Sequence, residues 1–179
     1  RDLHVRSRRQ RQMCIRDRNI VGAIAVANTL GVPFADLVMP VKRLECVPHR
    51  LQIIKGTNKT IIDDAFNSNP TGAKAALDTL AVFDGFKILV SPGMVELGEK
   101  EYELNKRFGE QAAEICDFVI AVGERQAVPI VDGLKAKGYP EEKTYVAKNL
   151  NEALAKVENI KTGGEKKIVL LENDLPDNY

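Results

Sequence analysis

The sequence predicts an α/β protein, in which a mostly parallel sheet carries helices on both faces and begins with a β-hairpin. Two observations predict this class. From residue 50 onward, short apolar segments alternate with amphipathic segments of helical spacing. In addition, "RLQII" and "KTIID" flank "KGTN", whose Gly and Asn suit a hairpin turn. Strands that alternate with helices are joined by right-handed crossovers, which leave the strands parallel.

The spacing of apolar residues places the individual elements. Further strands are predicted at Lys87–Val90, Phe118–Val122, Thr144–Val146 and Ile168–Leu171. Three apolar stripes predict helices that pack on the sheet: Ala73, Ala76, Leu77 and Leu80; Leu104, Phe108, Ala112 and Ile115; and Leu150, Leu154 and Val157. This alternation is typical of a Rossmann-like arrangement.

The region before residue 50 has a different character. Residues 19–31, "NIVGAIAVANTLG", predict a helix of small apolar residues that Gly31 and Pro33 end. The next stretch, "VPFADLVMPVKRLECVPHR", contains three prolines and mixed polarity. We therefore predict a connector between domains there.

Composition excludes several classes of protein. The chain has 179 residues, of which 44% are apolar, and this suits one ordinary domain with some extra sequence. Its three cysteines are scattered and form no CxxC pair, which argues against a disulfide framework and against a zinc site. No apolar run approaches the length of a membrane span. We expect no membrane association and a cytoplasmic location.

Residues 1–18, "RDLHVRSRRQRQMCIRDR", form an arm with seven arginines and two aspartates. Its charge alone would permit nucleic-acid binding, but aromatic residues, glycine and lysine are absent from it. A targeting presequence is disfavoured by the aspartates and by the lack of an apolar region. We interpret the arm as a non-native, adaptor-like segment and predict no nucleic-acid partner.

The stretch "IIDDAFNSNP", residues 61–70, carries the clearest functional signal. It joins a predicted strand to the helix "PTGAKAALDTLA", with Asn69 suited to the N-cap and Pro70 to the first helical position. Asp63, Asp64 and Asn67 then lie at the carboxyl end of a parallel strand, where open α/β sheets bind ligands. A cap and a turn do not require four polar side chains, so we predict a binding loop.

Other segments add weaker signals. "VSPGMVELGE", residues 90–99, forms a second loop at the same edge but does not match GxGxxG, and "AVGER" forms a third. Arg50, inside the first predicted strand, could reach a phosphate, whereas His49 has no obvious partner and is expected to be structural. The sequence contains no GxxxxGK[ST] motif, no metal-ligand cluster and no recognisable nucleophile–base pair. We therefore predict no catalytic residue, no metal ligand and no ATP hydrolysis by the chain alone.

Taken together, "HRLQIIKGTNKTIIDDAFNSNPTGAKAALDTLA", "KILVSPGMVELGE" and "DFVIAVGE" resemble the C-terminal domain of the Mur ligases. Within that family, DDxxNxNP is similar to the loop of the member that adds D-alanyl-D-alanine to UDP-N-acetylmuramoyl-tripeptide. The resemblance implies ATP-dependent amide formation with ATP and magnesium as cofactors, in a full-length enzyme that we expect to be monomeric. It also implies that residues 19–48 end the central ATPase domain and its linker, and that residues 49–179 form the C-terminal domain.

The resemblance implies roles for particular residues. Asn19, Arg50 and Asp64 match positions that contact the nucleotide, with Asp64 taking the ribose hydroxyls. The amino substrate would lie near a second set: Asn67, Asn69, Gly93 and Glu96. The P-loop, the magnesium ligands and the first substrate domain of the family would lie upstream.

The last strand departs from the family pattern. Family members commonly end it with a basic "KGSR"-like loop, whereas "VLLENDLPDNY" supplies Glu172, Asn173 and Asp174. We expect this to reverse the charge at a position that faces the site, so the amino substrate remains open. Two alternatives to the ligase also remain: a related amide ligase such as the folylpolyglutamate type, and a non-catalytic α/β module that binds a nucleotide or a partner.

Overall fold

The computed structural model describes residues 15–44 and 48–173, with side chains from residue 19 onward. These residues belong to two compact units, 1–46 and 47–179. The interpretation of residues 1–14, and of Cys14, Cys46 and Asp174, lies outside the described residues.

The first unit contains two helices, α1 (Ile15–Thr29) and α2 (Phe34–Lys42). The predicted end of α1 is confirmed. Gly31 adopts a φ of 92°, and the N–H groups of Gly31 and Val32 bond to the carbonyls of Asn28 and Ala27, which is a Schellman arrangement. The start is earlier than predicted, because α1 begins at Ile15, inside the arm of residues 1–18.

Part of the predicted connector is helical, since residues 34–42 form α2. Pro33 occupies the N-cap, and Pro40 lies near the end of α2, where a missing N–H removes only one hydrogen bond. Asp36 in the first turn and Lys42 in the last complement the helix dipole. The prolines of this stretch are therefore compatible with a short helix.

The described part of the second unit is built on one six-stranded sheet with the order β1-β2-β6-β3-β4-β5. The strands are β1 (Gln52–Lys55), β2 (Lys59–Asp64), β3 (Phe86–Ser91), β4 (Phe118–Val122), β5 (Thr144–Ala147) and β6 (Lys167–Glu172). β1 pairs with β2 in antiparallel fashion, and every other pair is parallel. The predicted hairpin and strands are confirmed.

Four helices cross between these strands: α3 (Pro70–Ala81), α4 (Glu101–Ala113), α5 (Ala127–Ala136) and α6 (Leu150–Asn159). Single 3₁₀ turns lie at Gly98–Lys100 and Glu141–Lys143. The sequence interpretation missed α5, which contains Pro129 and Gly133. Pro129 is tolerated because it lies in the first turn, where its N–H would have no partner inside the helix.

The helices cover the two faces of the sheet unequally. Apolar residues of α3, α4 and α5 pack in one cluster with Ile62, Leu89 and Val119. α6 packs through Ala153 and Val157 in a second cluster on the other face. The chain crosses the sheet in one direction from β2 to β5 and then returns to β6, so right-handed connections place the last helix on the opposite face.

The predicted helical stripes are confirmed for α3 and largely for α4, although Leu104 is only partly buried and Ile115 lies just beyond the end of α4. The stripe of α6 is wrong at Leu150, which is 45% exposed at the first position of the helix. Ala153 fills the corresponding place in the core, because the helix turns Leu150 away from the sheet. A small residue at the contact lets the helix approach the strands closely.

Candidate functional site

Three adjacent parallel strands bring the candidate loops together at one edge of the sheet. β6 lies between β2 and β3, and the register pairs Asp64 with Glu172. β3 ends at Ser91, one residue past Val90, which pairs with Leu171. Three segments are therefore neighbours: the loop after β2, the residues after β6 and the loop after β3. The sequence predicted that the loops after β2 and β3 lie at the same edge.

Asp63 is buried and serves the structure. Its carboxylate accepts a hydrogen bond from His49 Nδ1 at 2.9 Å and another from the N–H of Ala65 at 3.2 Å. The prediction that His49 lacks a partner was wrong, whereas its structural role agrees with these contacts. The His49 contact ties the segment before β1 to the end of β2.

Asp64 is only partly buried, and its Oδ1 accepts a hydrogen bond of 2.9 Å from the N–H of Leu51. Burial raises the pKa of the Asp64 carboxyl, while the Leu51 hydrogen bond and the charge of Arg50 act in the opposite direction. The neighbouring charge of Asp63 adds a smaller upward contribution to this pKa. Asp64 is thus a positioned carboxylate beside a cation.

Arg50 lies two residues before β1, so its predicted place inside the strand was wrong. Its guanidinium carbon lies 4.2 Å from the centroid of the Phe66 ring, which comes from the loop after β2. The residues on both sides have unusual backbones, with φ of 59° at His49 and 50° at Leu51. Contacts of both flanking residues with Asp63 and Asp64 hold this conformation and thereby direct Arg50.

The amides of the loop after β2 separate into two kinds. Asn69 caps α3, as predicted, because its Oδ1 accepts hydrogen bonds from the N–H groups of Thr71 and Gly72. Asn67 is exposed in the middle of the loop. Asn69 therefore shapes the loop, and Asn67 presents its side chain to solvent.

Glu172 and Asn173 contact both neighbouring loops. The Glu172 carboxyl is 0% exposed and bonds to the hydroxyl of Ser68 and, at 3.2 Å, to that of Ser91. Asn173 accepts a hydrogen bond from the N–H of Ser68 at 3.1 Å and donates one to the carbonyl of Gly93 at 2.6 Å. We call these four side chains, Ser68, Ser91, Glu172 and Asn173, the loop clamp.

The loop clamp corrects one expectation. Glu172 does not present a reversed charge to the site, because it is buried under the loops, and Asn173 is buried as well. Burial raises the pKa of Glu172 to about 7, while the Ser68 and Ser91 hydrogen bonds act to lower it. Asp174 lies outside the described residues.

The loop after β3 is fixed from both ends. The Ser91 hydroxyl accepts a hydrogen bond from the N–H of Gly93, and Asn105 of α4 bonds to both the N–H and the carbonyl of Met94. Gly93 has a φ of 82°, and a Cβ there would lie 2.7 Å from Asn105 Oδ1, so the position requires glycine. Glu96 is exposed and has a φ of 62°.

The other singled-out positions lie elsewhere. Asn19 belongs to α1 and is exposed in the first unit. Glu124 and Arg125 follow β4, one strand beyond the clamp. A cleft of about 240 Å³ lies between the first turn of α3 and α4, with Lys74, Met94 and Arg107 among its lining residues.

No group of three His, Cys, Asp or Glu side chains suited to a metal ion occurs within residues 15–44 and 48–173. Over the same ranges, the helices lack either the length or the apolar character that crossing a membrane requires.

Sequence reasoning missed Ser68, Ser91 and Phe66, and it misplaced Glu172. Each strand-end polar residue was visible in the sequence, but only the order of the strands shows that β6 ends between the other two. Ser68 and Ser91 are separated from Glu172 by 104 and 81 residues. The available signal was a carboxylate at the end of an otherwise apolar strand.

The fold and its loops place the chain in the class of open α/β domains, in which ligands commonly bind at the carboxyl edge of the sheet. The family model described as "Mur ligase, glutamate ligase domain" matches residues 49–171. This chain belongs to that family, as its motifs predicted.

Curated relatives include two UDP-N-acetylmuramoyl-tripeptide–D-alanyl-D-alanine ligases. The protein from Haemophilus influenzae is 29% identical over 131 residues, which cover 72% of this chain and 28% of the relative. The protein from Bacillus subtilis is 34% identical over 94 residues, or 51% of this chain and 21% of the relative. The chain thus matches less than a third of the length of either protein.

Solved structures agree with this relationship. A structure of MurF from Acinetobacter baumannii matches with a TM-score of 0.75 and 29% identity, over 87% of this chain and 34% of that one. MurF ligase from Thermotoga maritima, in complex with ADP, matches with a TM-score of 0.65 and 27% identity over the same shares. A folylpolyglutamate synthase shares the fold, at 17% identity and a TM-score of 0.53.

Proposed function

We propose that this chain is the C-terminal part of an ATP-dependent amide ligase that joins D-alanyl-D-alanine to UDP-N-acetylmuramoyl-tripeptide. The observation that carries the proposal is the pair formed by Asp64 and Arg50 at the carboxyl edge of the sheet, beside the loop that contains Asn67. Relatives named for this reaction, and a relative solved with ADP, support it.

The nucleotide side of the site fits the residues present. A partly buried carboxylate such as Asp64 can accept hydrogen bonds from the two hydroxyls of a ribose. The guanidinium of Arg50, supported by the Phe66 ring, offers several donors to a phosphate. ATP supplies the phosphoryl group that activates the tripeptide carboxylate for attack by the dipeptide amine. Asn19 remains a proposed contact of the nucleotide.

We assign no magnesium ligands in this chain, since its described residues offer no cluster of three acidic or histidine side chains. Magnesium accompanies ATP in the proposal because it neutralises phosphate charge during transfer. Arg50 contributes in the same direction by placing positive charge near the phosphates.

The amino-substrate side is proposed to lie along the loops after β2 and β3. Asn67 and Glu96 are exposed there, and an acidic Glu96 suits the ammonium group of the incoming dipeptide. Asn69 and Gly93 act by shaping the two loops. The cleft beside α3 carries Lys74 and Arg107, whose charge is opposite to that of the dipeptide carboxylate.

A chimera tests the proposal. Residues 49–179 would replace the matching domain of the Haemophilus influenzae relative, and phosphate release would be measured with D-alanyl-D-alanine, single amino acids and other dipeptides. Release that depends on D-alanyl-D-alanine supports the proposal, whereas preference for another amine favours the related-ligase alternative. A folded chimera without activity on any amine would favour the non-catalytic module. We also propose that the full-length protein works as a monomer in the cytoplasm, where ATP is available.

Asp64→Asn in the same chimera tests the nucleotide site. We expect a rise in the Michaelis constant for ATP of at least tenfold, because a neutral amide binds vicinal hydroxyls less strongly than a carboxylate. Asp78→Asn is the matched control, since Asp78 forms an exposed ion pair with Lys74 on α3. An unchanged constant in Asp64→Asn would remove Asp64 from the nucleotide site.

A further inference from the structure

The end of β6 lies beside both candidate loops. β6 lies between β2 and β3, and the two residues at its end contact the loop after each neighbour. Asn173 also donates its own N–H to the carbonyl of Asp64 at 3.2 Å. One short segment thereby contacts a residue proposed for the nucleotide and, through Gly93, a residue proposed for the amino substrate.

The backbone of Asn173 suits this task. Its φ is 62°, a conformation in which glycine is most common and asparagine is the best tolerated of the other residues. Glycine there would satisfy the backbone but could not bond to Ser68 and Gly93. Asparagine supplies an acceptor for one loop and a donor for the other from a single amide group.

Glu172 completes the connection through the serine hydroxyls. Because the Ser91 hydroxyl accepts from the N–H of Gly93, its proton is available for Oε2 of Glu172. The Ser68 hydroxyl bonds to the other carboxyl oxygen. A chain of hydrogen bonds therefore runs from the loop after β2, through a buried carboxyl, to the loop after β3.

We propose that Glu172 and Asn173 are positioning residues that join the loop after β2 to the loop after β3, so that the two halves of the proposed site keep one relative arrangement. The inference rests on the proposed function for the meaning of those halves. The connection itself rests on the four side chains of the loop clamp.

The protonation of Glu172 affects this connection. The groups that face it are the hydroxyls of Ser68 and Ser91 and, as the charged neighbour that acts on it, Asp64 on β2. His49 and Asp63 are hydrogen-bonded at the end of the same strand. An ionised Glu172 accepts from both serines, whereas a protonated one must donate to a serine and rearrange the chain of hydrogen bonds.

Amide hydrogen exchange tests the role of Asn173. We expect Asn173→Gly to accelerate exchange at both Ser68 and Gly93 by about tenfold, which corresponds to the loss of one buried hydrogen bond for each loop. Asn58→Gly, in the exposed hairpin turn, is the matched control. Acceleration at only one loop, or equal acceleration at the Lys87 amide at the far end of β3, would overturn the proposal.

A pH titration tests the role of Glu172. In the unmodified chain, the amide resonances of Ser68 and Gly93 should shift together with one midpoint near pH 7. In Glu172→Gln both shifts should be lost, while the folded spectrum is retained. A midpoint that persists in this variant would belong to a group other than Glu172 and would overturn the proposal.

ADP separates this inference from the proposed function. Added to the chimera, which restores the upstream domains, ADP should perturb the resonances of Asp64 and Arg50 if they contact a nucleotide. ADP could leave these resonances unchanged while the two loops still titrate together and still exchange together. That result would count against the proposed nucleotide site but would support the loop clamp. Perturbation by ADP without coupled loops would support the proposed function and overturn the clamp.

Discussion

The backbone N–H of Leu51 donates a hydrogen bond of 2.9 Å to Oδ1 of Asp64. The carboxylate proposed for the ribose therefore also anchors the segment that carries Arg50. Asp63 anchors the same segment through His49. The two aspartates at the end of the strand thus have different roles. Asp63 is structural, whereas Asp64 both supports the segment and faces the proposed site.

This dual role predicts different effects for two changes at Asp64. Asp64→Ala removes the acceptor of the Leu51 N–H and should lower the free energy of unfolding by about 1–3 kcal/mol. Asp64→Asn keeps an acceptor and removes a charge whose burial is unfavourable, so we expect a change within about 1 kcal/mol. Urea unfolding of both variants at pH 7.5 measures the difference.

The two Asp64 variants should also differ from the unmodified protein in ADP binding. Both variants should lose ADP affinity in a titration followed by NMR, even though only Asp64→Ala is destabilised. Equal destabilisation of the two variants would show that the charge, not the acceptor, supports the Leu51 segment.

The stability of the chain should depend on the protonation of Glu172. Burial raises its pKa from 4.5 to about 7, so the stabilising contribution is fully present below pH 4.5 and is lost as the pH rises through 7. This shift corresponds to about 3 kcal/mol. Asp64, whose pKa is also raised by burial, adds a loss in the same direction.

The measurement is urea unfolding at pH 5 and pH 8 for the unmodified chain and for Glu172→Gln. The unmodified chain should be more stable at pH 5 than at pH 8 by an amount that shrinks markedly in the variant. A pH dependence that is identical in both chains would show that Glu172 titrates normally. Asn159→Asp, at the exposed end of α6, is the control, because it exchanges an amide and a carboxyl group at the surface.

The sequence predicted the strands well, because alternation of apolar strands and amphipathic helices reflects local spacing. The prediction was wrong where packing against a distant part of the chain overrides the local helical pattern. α5 was missed because Pro129 and Gly133 weaken its helical pattern, yet Gly133 is needed where a Cβ would lie 2.0 Å from the carbonyl of Lys106. Leu150 was placed in the core from its spacing, but Ala153 packs there.

The candidate site was predictable only in part. The loop after β2 follows from a strand-to-helix junction, and Asn69 from the rules for N-caps, so both could be placed from nearby residues. The loop clamp depends on β6, the last of the described strands, lying between β2 and β3. No local pattern encodes that insertion, and the prediction that Glu172 presents its charge to the site was therefore wrong.

Close packing between α4 and α5 yields a prediction about glycine. A Cβ on Gly109 would lie 2.2 Å from the carbonyl of Ile130, and the backbone there has little freedom to move. Gly109→Ala should therefore cost several kcal/mol, about 2–4, although alanine is the better helix former. Gly72→Ala, in the first turn of α3, is the matched control because its nearest neighbour would lie at 3.7 Å.

Thermal unfolding distinguishes the two glycine variants. The midpoint should fall by at least 5 °C for Gly109→Ala and should stay level or rise for Gly72→Ala. A drop of similar size in both would show that glycine is needed in these helices for a reason other than the approach of α4 to α5.

Asn69 offers a way to separate loop shaping from substrate contact. Its Oδ1 caps α3 through Thr71 and Gly72, so Asn69→Ala should lower the free energy of unfolding by about 1 kcal/mol. Asn69→Ser keeps a capping oxygen but removes the amide. Asn149→Ala, which removes the cap of α6 at Glu152, is the control for the loss of a cap away from the site.

In the active chimera, the Michaelis constant for D-alanyl-D-alanine then decides between the two roles. If Asn69 acts only by capping, Asn69→Ser should keep the constant within about threefold, while Asn69→Ala raises it because the loop that carries Asn67 loosens. If the amide contacts the dipeptide, both variants should raise the constant alike. The cap geometry favours the first outcome, because the side-chain oxygen already bonds to two backbone N–H groups.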